Sequence, residues 1–285
     1  MKKNIALVLS SGGSRGLAQI GVINELESQG FNISSVSGAS IGSVIGGLYA
    51  MGKLEEYSKW VCDFNKKEVW GFMDFTLKGN GLLKGERIFD RMKQFIPDMN
   101  IEDMPIPFTA VATDILNKKE VIFNHGSFYN AARASIAIPA VFTPVKENNT
   151  ILIDGGILNP VPIKHIKRNS GDMLVVVNLY GDNELTPDIP EEENSSKGYL
   201  QGLKRNLSAL MSSGDKHSVG YYSLLNRSSS AMLQRIAELS IENHKPDLLI
   251  NIPHDSANTF DFHKAKELIE LGRNLTKEAI THTIL

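Results

Sequence analysis

Cysteine is almost absent: Cys62 is the only one in 285 residues. One thiol makes no internal disulfide and cannot by itself supply the thiolates of a structural zinc site. Cys62 falls in a helical-looking stretch, Leu54 to Phe64, and reads as a small buried hydrophobe. A charge surplus is missing too. Lys+Arg 30 against Asp+Glu 32 leave a formal charge of −2, so nothing calls for nucleic acid or for a strongly cationic partner. No apolar run approaches the roughly 20 residues that cross a bilayer as a helix. Met1-Lys2-Lys3-Asn4 followed by Ile5 to Leu9 mimics a secretory leader, but it runs into Ser10-Ser11-Gly12-Gly13 rather than a cleavage site. A cytoplasmic address is expected, with peripheral contact at the inner face of a membrane left open. What is present is ordinary globular composition, 42% apolar and 22% charged, in a chain long enough to bury a sizeable core.

Strand and helix patterns alternate along the chain. Ile5 to Leu9 reads as a short buried strand, Leu17 to Gln29 as a helix stopped by Gly30, and Ser34 to Ser37 as a second strand. Ile41 to Met51 is a helix rich in small residues. Phe108 to Thr113 and Glu120 to Asn124 suggest a strand pair, Asn130 to Ile138 a helix, and Ile151 to Ile153 a strand ending at Asp154. Leu174 to Leu179 is apolar except for Asn178, as in a sheet covered on both faces. A strand at Leu248 to Ile252 and a helix from His263 close the pattern. The expected fold is α/β, a three-layer α/β/α sandwich around a mostly parallel sheet. A single domain over 1–285 is expected, with a mobile acidic loop at 181–198 and a helical segment at 199–242. Tyr199, Leu203, Leu207, Leu210 and Met211 form an apolar stripe beside Lys204 and Arg205. The stripe suits a core face, a lid or a membrane-contacting helix over 199–211. The cluster Tyr221-Tyr222-Leu224-Leu225 is expected in the core.

Three short motifs carry chemistry-bearing residues. Gly38-Ala39-Ser40-Ile41-Gly42 fits G-x-S-x-G and sits between a strand and a helix, which puts Ser40 on a sharp bend at a helix N-terminus. Read alone, it also admits the weaker alternative of a small-residue packing turn. Ser11-Gly12-Gly13-Ser14-Arg15-Gly16 also joins a strand to a helix. A dinucleotide fingerprint would need glycine where Ser11 stands and a carboxylate about 20 residues on, where the sequence reads Val36-Ser37-Gly38. A rigid loop rich in N–H groups remains, able to hold an oxyanion or a phosphate. Asp154-Gly155-Gly156 ends a strand and can aim a carboxylate into a cleft at the carboxyl edge of the sheet, or simply make a turn.

Taken together and in this order, the three motifs resemble those of the patatin-like phospholipases, particularly the short single-domain bacterial members. The flanks agree: Leu17 to Val22 after the glycine loop, Ala110-Val111-Ala112-Thr113-Asp114, and Ala134-Ser135-Ile136-Ala137-Ile138-Pro139 before the aspartate. The likeness is strong over about 4–180 and looser beyond, and Ser11 departs from the family's usual glycine. The resemblance implies a patatin-like α/β/α fold and a serine hydrolase of lipid acyl esters working through a Ser40–Asp154 dyad, with no histidine, metal or cofactor. It also implies an oxyanion hole from Gly12, Gly13 and Ser14, with Arg15 holding the loop or meeting a lipid phosphate. Gly16, Gly38, Gly42, Gly155 and Gly156 are the accompanying motif glycines. Phospholipid, lysophospholipid and acylglycerol all fit as substrates, and oligomeric state is unreadable. Two alternatives stand beside this reading: a non-catalytic regulatory or ligand-binding protein on the same fold, and a Ser-His-Asp triad using one of the later histidines, such as His165, His217, His244 or His254. His165 is expected on the surface of a helix over Pro162 to Arg168, and His244 and His254 in loops.

Overall fold

Every second residue of the first strand faces a different core. In β1 (Lys3–Leu9), Ile5, Leu7 and Leu9 pack into one buried cluster and Val8 into another. In β7 (Met173–Gly181), Val175, Val177 and Leu179 join the first cluster, Leu174, Val176 and Tyr180 the second. This two-residue alternation, apolar on both sides, is what a sheet sandwiched between helical layers requires. The structure, a computed structural model, describes residues 3–72, 83–147, 149–182 and 221–284. Within them 8 strands form one sheet in the order β5-β6-β3-β2-β1-β7-β8, with β4 paired to β3. The remaining strands are β2 (Phe31–Ala39), β3 (Phe108–Asp114), β4 (Lys119–Phe123), β5 (Val145–Glu147), β6 (Thr150–Asp154) and β8 (Leu248–Pro253). Pairings among β3, β2, β1, β7 and β8 are parallel, and those of β4, β5 and β6 antiparallel. The expected α/β architecture with a mostly parallel, helix-flanked sheet is what is found.

Helices α1 (Ala18–Ser28), α2 (Ile41–Ala50) and α3 (Leu54–Cys62) follow one another, and a closing helix Ala265–Ile284 packs against α1. Helix Tyr221–His244 supplies Ala237, Leu233 and Ile241 to the second buried cluster. By contact density the chain divides into a unit of residues 1–182 and 233–285, which holds the sheet, and a unit of residues 183–232. The expected loop at 181–198 lies almost wholly outside the described residues, and the stripe at 199–211 entirely so. Leu224 and Leu225 are 54% and 48% exposed rather than in the core. Exposed leucines are common on protein surfaces.

Several elements differ from the sequence reading for identifiable reasons. The second strand is longer at both ends, because Phe31, Asn32 and Ile33 pair with the start of β1 and Gly38 and Ala39 pair with β3. Ser34 Oγ donates to Ile5 O at 2.9 Å and Ser35 Oγ to Lys167 O, so both hydroxyls are satisfied. The helix expected to reach Ile138 spans Phe128–Ser135, started by Ser127, whose side chain accepts from Asn130 N. Pro139 keeps the preceding residue out of helical geometry. The helix expected over Pro162 to Arg168 is a single turn, Ile163–His165.

Candidate active site

Topology alone brings two of the motifs together. β2 pairs with the first half of β3, Ala39 lying opposite Val111. β6 approaches antiparallel and pairs with the second half, Asp154 lying opposite Ala112. Because β4 occupies the other edge of β3 across both stretches, β2 and β6 share one edge and meet head to head. The residue after one strand's end and the last residue of the other are therefore neighbours.

Ser40 sits at that junction with φ 53 and ψ −126, a conformation that is strained for a residue with a side chain. Strain of this kind costs on the order of 1–3 kcal/mol and persists only where the surroundings fix it. Here Ser40 N–H donates to Ser135 Oγ at 2.9 Å, and Ser135 Oγ donates to Val111 O at 2.6 Å. Ser40 O accepts from Ser43 N at 2.9 Å and from Ser43 Oγ at 2.6 Å. Gly42 is needed because a Cβ there would stand 2.2 Å from Leu9 O, so only glycine lets the start of α2 lie against β1. The N-terminus of α2 consequently points at the bend, where its dipole favours negative charge.

The Ser40 hydroxyl donates to Asp154 Oδ2 at 2.5 Å. Both residues are buried, 4% and 5% exposed. The second carboxylate oxygen, Oδ1, accepts from Gly156 N at 2.7 Å, and Asp154 N donates to Ala137 O at 2.9 Å. Burial raises the Asp154 pKa to about 7, against the opposing pull of the bonds from Ser40 and Gly156. Gly155 has a reason of its own, since a Cβ would lie 1.9 Å from Val111 O.

The glycine loop runs into a single helical turn, Gly13–Leu17. Among the described residues the N–H groups of Gly12 and Gly13 have no hydrogen-bond partner. Ser14 differs from the sequence expectation: its N–H donates to Thr259 O at 3.0 Å and its hydroxyl to Asn258 O at 2.7 Å, so it is not a free donor. A segment more than 240 positions away claims it, which no local pattern could reveal. Arg15 Nε donates to Gly12 O at 3.0 Å and its Nη1 to His254 O at 2.5 Å, so this side chain ties the loop down. Burial lowers the Arg15 pKa. Ser11 Oγ and Tyr180 OH share a hydrogen bond of 2.6 Å, and burial pushes the Tyr180 pKa up to about 12.

Histidine stays out of the arrangement among the described residues. His165 is half-buried rather than a surface residue, with Nε2 2.6 Å from Glu120 Oε2. His254 Nδ1 lies 3.2 Å from Gly181 O, and His244 ends its helix with Nδ1 2.8 Å from Ser240 O. His217 lies outside the described residues. No group of three or more His, Cys, Asp or Glu suited to a metal occurs among the described residues. Asp114 accepts from Asn117 Nδ2 at 2.6 Å and from Leu116 N at 3.1 Å, which lowers its pKa and closes the β3–β4 turn.

An apolar cavity opens on Ser40 and Gly13. Its walls come from α2 (Ile41, Val44), from Tyr57, Phe64, Val69 and Phe72, from Ile88, Phe89 and Met92, and from Ile136, Ile138 and Phe142. Thr259, Phe260 and Phe262 complete it. Ser135 and this cavity are what motif reading missed. Ser135 lay in a recognised flank without an assigned task, and the wall residues come from segments dispersed over about 250 positions.

Residues 7–166 match the patatin-like phospholipase family. The chain belongs to that family. An uncharacterized NTE family protein of Mycobacterium tuberculosis is 30% identical across 97% of this chain and 91% of its own length. A protein named lysophospholipase NTE1 from Meyerozyma guilliermondii is 26% identical over 97% of this chain, which corresponds to 19% of that much longer protein. Among solved structures, VipD from Legionella pneumophila superposes with a TM-score of 0.50 over 99% of this chain and 67% of its own, at 15% identity. That likeness concerns the fold. The patatin-like chain thus stands in a family of lipid hydrolases, and among its described residues no helix is long and apolar enough to cross a membrane.

Proposed function

We propose that this patatin-like protein hydrolyses lipid acyl esters through a Ser40–Asp154 dyad. The observation that carries the reading is the 2.5 Å bond from Ser40 Oγ to a buried carboxylate whose pKa stands at about 7. Serine is a weak nucleophile until a base takes its proton, and a carboxylate with raised proton affinity serves as that base without imidazole.

In the proposed sequence, Asp154 Oδ2 accepts the hydroxyl proton while Ser40 Oγ attacks the ester carbonyl carbon. The oxyanion rests on the Gly12 and Gly13 N–H groups, Ser14 being already engaged. One such donor typically contributes about 3 kcal/mol of transition-state stabilisation. Collapse expels the alcohol, which takes the proton from Asp154. Water, activated by the same carboxylate, then hydrolyses acyl-Ser40 and releases the fatty acid. The cavity beside Ser40 suits an acyl chain, because its lining is almost entirely apolar.

A fluorophosphonate probe should label the wild-type protein and leave Ser40→Ala unlabelled. Asp154→Asn should lose turnover of a soluble short-chain ester while remaining folded by circular dichroism. Near-wild-type turnover by folded Asp154→Asn would remove the base from this scheme. An unreactive Ser40 in the wild type would favour the non-catalytic binding protein.

A further inference from the structure

The outer side of the cavity's cover carries an unassigned surface. Residues 64–95 supply Phe64, Val69, Phe72, Ile88, Phe89 and Met92 to the wall. The same stretch holds 7 Lys or Arg against 4 Asp or Glu, in a chain whose overall charge is −2. In its described parts, 64–72 and 83–95, this wall-bearing stretch is locally basic, with 6 Lys or Arg against 3 Asp or Glu.

Helix α4 (Lys66–Gly71) shows how the two sides differ. At about 100° per residue, Lys66, Trp70 and Lys67 fall within one arc of about 100°. Val69 points elsewhere, is buried, and lines the cavity. Both lysines are exposed, and Trp70 is 53% exposed. Glu68, the acidic residue of this helix, has its carboxylate bonded to Asn65 N at 2.8 Å in the N-terminal cap. Phe95 adds a second exposed aromatic, at 37%, with its ring 5.2 Å from Trp60. Trp60 in turn lies 4.7 Å from Phe64 and 5.5 Å from Phe72, so one aromatic cluster joins the exposed edge to the cavity wall.

We propose that the face centred on Lys66, Lys67 and Trp70 docks on an anionic phospholipid surface, placing the cavity's cover against the bilayer from which an acyl chain enters. Lysines beside an exposed tryptophan match such a surface: the ammonium groups meet lipid phosphates, and the indole sits at the headgroup level. A water-dissolved ester would need neither, and a zwitterionic surface carries no net negative charge to attract the paired lysines. The acyl-delivery half rests on the hydrolase reading above, whereas the docking half stands without it.

Binding is therefore measured on the full chain carrying Ser40→Ala, by sedimentation with large unilamellar vesicles. Vesicles of phosphatidylcholine with phosphatidylglycerol should capture it, phosphatidylcholine alone should not, and added salt should release it. Lys66→Glu/Lys67→Glu should weaken partition by at least about thirtyfold, each basic residue near the surface contributing about fivefold, and Trp70→Ala should separately weaken it. In the Ser40 background the same substitutions should leave hydrolysis of a soluble short-chain ester unchanged within about twofold, since none touches the cavity. If charge reversal lowers the melting temperature, Lys66→Gln/Lys67→Gln replaces it. Equal capture by both vesicle types, no capture by either, or undiminished capture of the folded variants overturns the docking proposal. Normal capture with an unreactive Ser40 overturns the hydrolase reading and leaves docking intact.

Discussion

Asp154 governs the pH behaviour expected of this protein. In the proposed mechanism it acts as base only when ionised, and its folded pKa is about 7. The value of kcat/KM for a soluble ester should therefore rise with pH and level off above about 7, where the carboxylate is formed. Stability moves the other way. Between the unfolded value of about 3.9 and the folded value, the native state keeps a proton that the unfolded chain has released, so stability falls as pH rises through that window. Asp154→Asn should lack this component: its melting temperature relative to wild type should be higher at pH 8 than at pH 5. A pH-independent difference would mean that burial does not hold the carboxyl protonated. Ser135 gives a second test at this scale. Ser135→Ala removes the acceptor of Ser40 N–H and the donor to Val111 O, costing about 1–3 kcal/mol of stability. It should also lower kcat more than it raises KM, because the strained bend loses its support.

At the level of elements, the strand–helix alternation was legible because β1 and β7 carry unbroken apolar runs, Ile5–Leu9 and Met173–Val177, and the turns carry glycine. The three motifs were legible because a nucleophile bend, a donor loop and a strand-end carboxylate each impose local residue types. β5 was not, since Val145–Glu147 is 3 residues long with two exposed side chains. The extra length of β2 was hidden because Phe31–Ile33 and Gly38–Ala39 are strand only by pairing with distant β1 and β3. Ser14 was misread because its partner, Thr259, sits in a distant loop. The helix–strand contact at Gly42 yields a further prediction. Gly42→Ala puts a methyl 2.2 Å from Leu9 O, so α2 must shift, at a cost of about 1–3 kcal/mol or more, readable as a lower denaturant midpoint. On the other face of the same helix, Val44 lines the cavity. Val44→Trp should depress turnover of long-chain esters by about tenfold relative to short-chain ones, if a filled pocket behaves as steric exclusion usually does. An unchanged chain-length profile would mean that acyl groups bind elsewhere.

For the whole molecule, the decisive feature is that two strands arrive from opposite directions on one edge of β3. The hydroxyl belongs to residue 40 and the carboxylate to residue 154, and the strand that brings them together lies between them at 108–114. Nothing in any one segment is reactive by itself. During synthesis, the ribosome must release the chain beyond residue 154 before an acylating centre can assemble. Under the proposed dyad, a truncated or half-folded product is thus chemically inert toward the lipids around it, a safeguard that follows from strand order alone.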